Sequence, residues 1–103
     1  MLNNVVLVGR IASGLEINEA ENNRKVATMT LAIPRNYKNP DGTYDTDFIP
    51  CTLWNGIAEN TAVYCKQGDL VGVKGRLQNK EGKIEIVAEK LTFLSSKPKE
   101  KED

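Results

Sequence analysis

Two large aromatics, Phe48 and Trp54, stand six positions apart in the segment YDTDFIPCTLW, residues 44–54. From Phe48 onward the run is apolar, aromatic and β-branched, which predicts a strand. Alternate side chains of a strand point to opposite faces. Ile49, Cys51 and Leu53 then share a core face, and Phe48, Pro50, Thr52 and Trp54 share the other. Six residues put the two rings about 20 Å apart along the strand. An aromatic pair on an outward strand face can stack flat ligands such as nucleobases. The same pair would also fit a core or interface sandwich. A second group, Arg35, Tyr37 and Lys38, lies in RNYKNPDGT just upstream. Basic residues beside an aromatic suit a phosphate and its base, although a solvated hairpin tip has the same composition.

This chemistry is binding rather than catalysis. The chain has no histidine, so the commonest general base is missing. Its two cysteines, Cys51 and Cys65, cannot close a zinc site or make a disulfide framework. They read as two buried free thiols. There is no Gly-rich phosphate loop, and a small enzyme is disfavoured. No metal, cofactor or catalytic residue is expected.

The 103 residues fit one domain with one small core. Fourteen basic residues balance fourteen acidic ones, whereas nucleic-acid-binding domains are often basic. The distribution of charge therefore matters more than its sum. No apolar run reaches membrane-spanning length, and MLNNVVLVGR is no secretory signal. The reading is a cytoplasmic protein without membrane contact.

The elements that must position these residues follow in order. Residues 3–11, NNVVLVGRI, predict a first strand, with Val5 and Leu7 on one face and Val6 and Val8 on the other. Apolar on both faces, it needs cover on both, one from the core and one from another subunit. Gly9–Arg10 suggests a bulge or bend. Residues 12–24 are polar and turn-rich, with room for a short strand at Leu15–Ile17. Residues 25–34 predict a second strand, with Ala27, Met29, Leu31 and Ile33 inward. Asn-Pro-Asp-Gly then turns the chain. Pro50 marks an edge position or bulge in the third strand. Residues 57–65 predict a short helix, capped by Asn55, with Gly68 past its end and Tyr64 used for packing. Residues 70–78 and 84–94 are the last strands, joined by a tight turn at Lys80–Lys83. The charged tail, 95–103, predicts disorder, leaving residues 1–94 as the folded domain. Three strands, a helix and two strands give an all-β protein, a five-stranded Greek-key barrel of OB-fold layout.

The segments NNVVLVGRI, VATMTLAIPRNYKN, DFIPCTLWNGIAENTAVYCKQGDLVGVKGRLQ and IVAEKLTFL together resemble bacterial single-stranded DNA-binding proteins. The resemblance implies that Tyr37, Phe48 and Trp54 stack on bases. It implies that Arg10, Arg35, Lys38, Arg76 and Lys80 line the path of the strand. It also implies a tetramer whose dimers join through their first strands, with a dimer as the smaller possibility. Three departures stand out. The long hairpin usual between the last two strands is a tight turn at Asn79–Lys83. The acidic Pro-Phe tip that recruits partner proteins is absent from KPKEKED, so tail-mediated partners are not expected. Such an ending fits a trimmed chain or a compact version of the kind a phage or mobile element carries. Pro50 lies between the two aromatics and is expected to disturb their spacing.

The function so implied is coating of single-stranded DNA, without sequence preference, in replication, recombination or repair. A short dimeric primosomal adaptor of the same fold is the nearest rival. A protein-interaction OB domain, with Phe48 and Trp54 as its docking patch, is another.

Overall fold

Hydrophobic alternation sets the strands, and the turns between them set their partners. The computed structural model describes residues 1–13 and 15–95. Strand β1 spans Val5–Ile11, β2 Asn18–Glu19, β3 Lys25–Pro34 and β4 Thr46–Trp54. Helix α1 spans Asn55–Tyr64, and strands β5 (Leu70–Lys80) and β6 (Lys83–Ser95) follow. The tail expected to be disordered lies, beyond Ser95, outside the described residues.

The strands run in the order β1-β5-β6-β4-β3-β2, and β1 also pairs with β3. That extra pairing closes five long strands into a barrel, with the two-residue β2 as an appendage. β1 performs the closure by changing partners. It lies antiparallel to β5 from Val5↔Gly75 to Arg10↔Leu70, and reaches β3 at Arg10↔Ala32 and Ile11↔Leu31. The other seam is short and parallel, β4 to β6, at Cys51↔Ile86 and Thr52↔Val87. Inward residues fill the barrel as alternation requires: Met29, Leu31, Cys51, Leu53 and Val71 have no exposed surface. Helix α1 adds Ala58 to this core, with Thr61 buried beside it.

Several expectations shift on inspection. β1 starts at Val5 rather than residue 3. Asn3 continues its pairing through the side chain, whose amide donates to the Leu77 carbonyl and accepts from the Leu77 N–H, both at 2.9 Å. The short strand forms at Asn18–Glu19, not Leu15–Ile17, because Asn18 and Glu19 meet Val26 and Lys25 across the turn. Leu15 packs on the core instead. The bulge expected at Gly9–Arg10 is not there, since β1 stays in register with β5 through both residues. Gly9 serves close approach: a Cβ would lie 2.8 Å from the Ala32 carbonyl oxygen of β3. The irregularities fall instead in β6, where Leu94 and Glu89 are the extra residues opposite Leu70–Val71 and Lys74–Gly75 of β5. Asn55 does not cap α1; its Oδ1 accepts from the Lys25 N–H at 3.0 Å. Tyr64 is 69% exposed and its ring meets Phe93 at 6.3 Å, away from the core.

Other readings hold. The β5–β6 turn has two central residues, Glu81 and Gly82, with φ of 54° and 84°. Positive φ at both is the geometry that matches the twist of a two-residue hairpin. Both cysteines are free; Cys51 is buried and Cys65 partly so. Burial pushes the Cys51 thiol up to about 11, which leaves it protonated and unreactive at neutral pH. Among the described residues, no helix is long and apolar enough to cross a membrane.

Candidate nucleic-acid interface

Residues directly opposite in paired strands present their side chains on the same face. The β3–β4 ladder runs without interruption from Val26↔Trp54 to Pro34↔Thr46. The outward face is therefore a regular series of rows. Trp54 lies beside Val26, Thr52 beside Thr28, Pro50 beside Thr30, and Phe48 beside Ala32. Pro50 leaves the spacing of the aromatics unchanged, contrary to expectation. It is tolerated because β6 pairs only with Cys51 and Thr52, so β4 is an edge on that side before Cys51.

Phe48 is 62% exposed and Trp54 half-buried, so neither ring enters the barrel core. Between them, Thr28, Thr30 and Thr52 supply small side chains. The result is a shallow face with a ring near each end.

Two of the expected basic residues extend these rows. Arg10 pairs with Ala32 and so lies in the row of Phe48. Its Nη1 donates to the Gly68 carbonyl at 2.9 Å, which holds the side chain over the β1–β5 edge. Arg76 ends the row Thr28–Thr52–Val87–Arg76. It forms an ion pair with Glu89 at 3.2 Å, and the same carboxylate reaches Lys74 at 3.5 Å. Lys80, in phase with Arg76, is exposed at the tip of the β5–β6 hairpin.

The β3–β4 loop sorts its cations into two kinds. Its Asn39–Thr43 turn is closed by the Asn39 N–H to the Thr43 carbonyl, 2.7 Å, and the Asp41 carboxylate accepts from the Thr43 N–H and hydroxyl. Arg35 is engaged internally. It meets Asp47 through two guanidinium nitrogens, at 2.9 and 3.2 Å, and Asp45 at 3.6 Å. The hydrogen bonds from Arg35 hold the Asp47 carboxyl below the usual carboxylate range. Arg35 Nη1 also donates to the Tyr37 hydroxyl at 3.4 Å, which helps present a ring that is 59% exposed. Lys38 is exposed and has no ion-pair partner among the described residues.

Arg35 is thus a brace for the loop, and Lys38 is its available cation. Lys38→Ala should flatten the dependence of oligonucleotide affinity on salt by about 0.7 in log–log slope, the share of one phosphate contact on a single strand. Arg35→Ala should change that slope much less, because two carboxylates already offset its charge. Salt titrations of both variants that gave equal flattening would refute the distinction.

One residue at this face escaped the sequence reading. Arg24 lies with its Cζ 4.1 Å from the centroid of the Trp54 ring. The signal available was the register: Val26 opposite Trp54 puts Arg24 just beyond the indole. Residues 12–24 read only as a polar turn, and nothing in their composition gives that register.

Comparison with known proteins agrees with the geometry. Residues 2–94 match the model of the single-strand binding protein family. Single-stranded DNA-binding protein B of Bacillus subtilis is 42% identical, over 98% of this chain and 97% of its own length. Single-stranded DNA-binding protein 3 of Streptococcus agalactiae is also 42% identical, over 94% of this chain and 77% of its own. A crystal structure of an SSB domain from Synechococcus sp. superposes with a TM-score of 0.73 at 20% identity, covering 88% of this chain and 94% of that one. At that identity the likeness is one of fold.

Proposed function

The chain belongs to the single-strand binding protein family, and from that premise we propose that it coats single-stranded DNA with the outward face of β3 and β4. Its activity is binding, with no catalytic step. The observation that carries the reading is the unbroken series of outward rows with Phe48 near one end and Trp54 at the other. Bases stack on Phe48, Trp54 and Tyr37. Each stack is worth about 1–3 kcal/mol in proteins of this kind and is tolerant of sequence, because every base has a π-face. Arg10, Lys38, Arg76 and Lys80 take the phosphates, which makes affinity fall as salt rises. Such a coat keeps the strand unpaired during replication, recombination or repair, in the cytoplasm where a bacterial chromosome is copied. Titration with a fluorescent oligonucleotide tests this directly. Strong binding of single strands with weak binding of duplex is expected, and equal binding of the two would sink the proposal.

The protein works as an oligomer joined through β1, a tetramer first and a dimer second. The support is on the outer face of that strand, where Val6 is 72% and Val8 51% exposed. Leu94 and Val8 both approach the space over Gly72, which extends the apolar strip across β5. Light scattering should give a mass above that of one chain at micromolar concentration, and a monomer there would refute the assembly.

A further inference from the structure

We propose that Arg24 is a further DNA-contacting residue: its guanidinium backs one face of Trp54, and its free edge takes the phosphate of a nucleotide stacked on the other face. This rests on the reading of Trp54 as a stacking residue.

The contact is built by the surrounding chain. At 4.1 Å from the ring centroid, the Arg24 guanidinium carbon lies within stacking distance of the indole. The backbone on both sides of Arg24 is tied. Its N–H donates to the Glu21 carbonyl at 3.3 Å, and its own carbonyl accepts from the Ala20 N–H at 2.6 Å. The next residue, Lys25, is fixed to α1 twice. Its N–H donates to Asn55 Oδ1 at 3.0 Å, and its Nζ lies 3.4 Å from Glu59. Asn55 directly follows Trp54, so one asparagine clamps the Arg24 turn to the residue that carries the indole. The backbone conformations that do this are uncommon: Asn22, Asn23 and Asn55 have φ of 63°, 60° and 52°. Asparagine enters that left-handed region more readily than most residues.

The charge of Arg24 remains available. Among the described residues it makes no ion pair, whereas Arg35 is matched by Asp47 and Asp45 and Arg76 by Glu89. A guanidinium lying on a ring keeps its N–H donors in the plane, at the rim, where they can meet a phosphate oxygen. With one indole face covered, an incoming base is directed to the other. Arg24 is exposed, so the phosphate has access. The ligand class is a nucleotide of single-stranded DNA, held by stacking and by its phosphodiester.

Three full-chain variants test this: Arg24→Ala, Arg24→Gln and Arg24→Lys, each titrated with oligo(dT) across a salt series while Trp54 emission is followed. Loss of one phosphate contact should flatten the log–log salt slope by about 0.7 in the Ala and Gln variants, and weaken binding roughly fivefold at ~0.1 M salt relative to 1 M. Arg24→Lys should keep the slope, yet shift the emission of the free protein as Arg24→Ala does, because the flat stacked group is gone. A merely structural role would not separate Gln from Lys in this way. Melting temperatures near wild type confirm that the variants are folded. If Arg24→Ala destabilises the turn, the Gln and Lys pair still decides. A wild-type slope and affinity in Arg24→Ala would overturn the proposal, and so would tighter binding, which would make Arg24 an obstacle over Trp54. If wild-type emission is not quenched by oligo(dT), the stacking reading of Trp54 itself fails. If it is quenched while the variants match wild type, only the role of Arg24 fails.

Discussion

Trp54→Ala should weaken oligonucleotide binding by about 1–3 kcal/mol, roughly 5- to 150-fold, while leaving the barrel folded. Phe48→Ala should do the same. The argument is exposure. Phe48 is 62% exposed and Trp54 is half-buried under Arg24, so neither truncation opens a cavity in the core. The emission of Trp54, the only tryptophan, should be strongly quenched by single strands. The two rings stand about 20 Å apart, so each serves a different nucleotide and their effects should add in the double variant. The salt slope should stay near wild type, because no phosphate contact is removed. A buried tryptophan would behave in the opposite way, with about 3–5 kcal/mol of stability lost on truncation. Melting temperature and affinity measured on one Trp54→Ala sample separate the cases. A collapsed melting temperature with an unquenched wild-type tryptophan would end the stacking assignment.

Gly75→Ala should be among the most damaging single-methyl changes in the chain. Gly75 sits opposite the β6 bulge at Glu89, and a Cβ there would collide with the Val87 carbonyl oxygen and come within 3.2 Å of the Ala88 Cα. These are backbone atoms of β6, and no rotamer moves them. Relief requires β5 and β6 to part where the barrel bends. Overpacking of this kind costs about 1–3 kcal/mol or more. Each kcal/mol lowers the melting temperature of a domain this size by roughly 4–8 °C. Gly56→Ala is the control, since a Cβ at Gly56 meets nothing within 4 Å and the residue lies in α1. That change should be neutral or slightly stabilising, by up to about 1 kcal/mol. Matching melting curves for the two variants would contradict the steric account.

How much of this was legible beforehand depended on the range of the interaction. Alternation along β3 and β4 separated Met29, Leu31, Cys51 and Leu53 from Phe48, Thr52 and Trp54, and the structure keeps that division. It is legible because a strand has period two and both faces carry distinct residue types. The hairpin at Glu81–Gly82 was legible for the same local reason. The Gly9 expectation failed because a glycine in a strand signals a bulge or a close approach alike, and only the arrival of Ala32 from β3 decides between them. Arg35 carried the expected charge, but its match to Asp47 depends on how the two strand ends meet across the loop. Asn55 has the composition of a helix cap, yet its partner is Lys25, thirty residues earlier. Arg24 was missed for that same reason. Sequence composition gives the residues a strand can show; the register gives the residues they meet.

The partner change of β1 has a consequence for biosynthesis. Val5 leaves the ribosome seventy residues ahead of Gly75, the residue it pairs with. At ~5–20 residues per second the first strand waits about 4–14 s for β5. Through that interval β3 and β4 can form a hairpin between themselves, but β1 holds Val6, Leu7 and Val8 without the neighbours that make it part of a barrel. The nascent barrel is therefore most exposed to misassociation at β1, and the strand that closes the barrel is made before either of the strands it closes on.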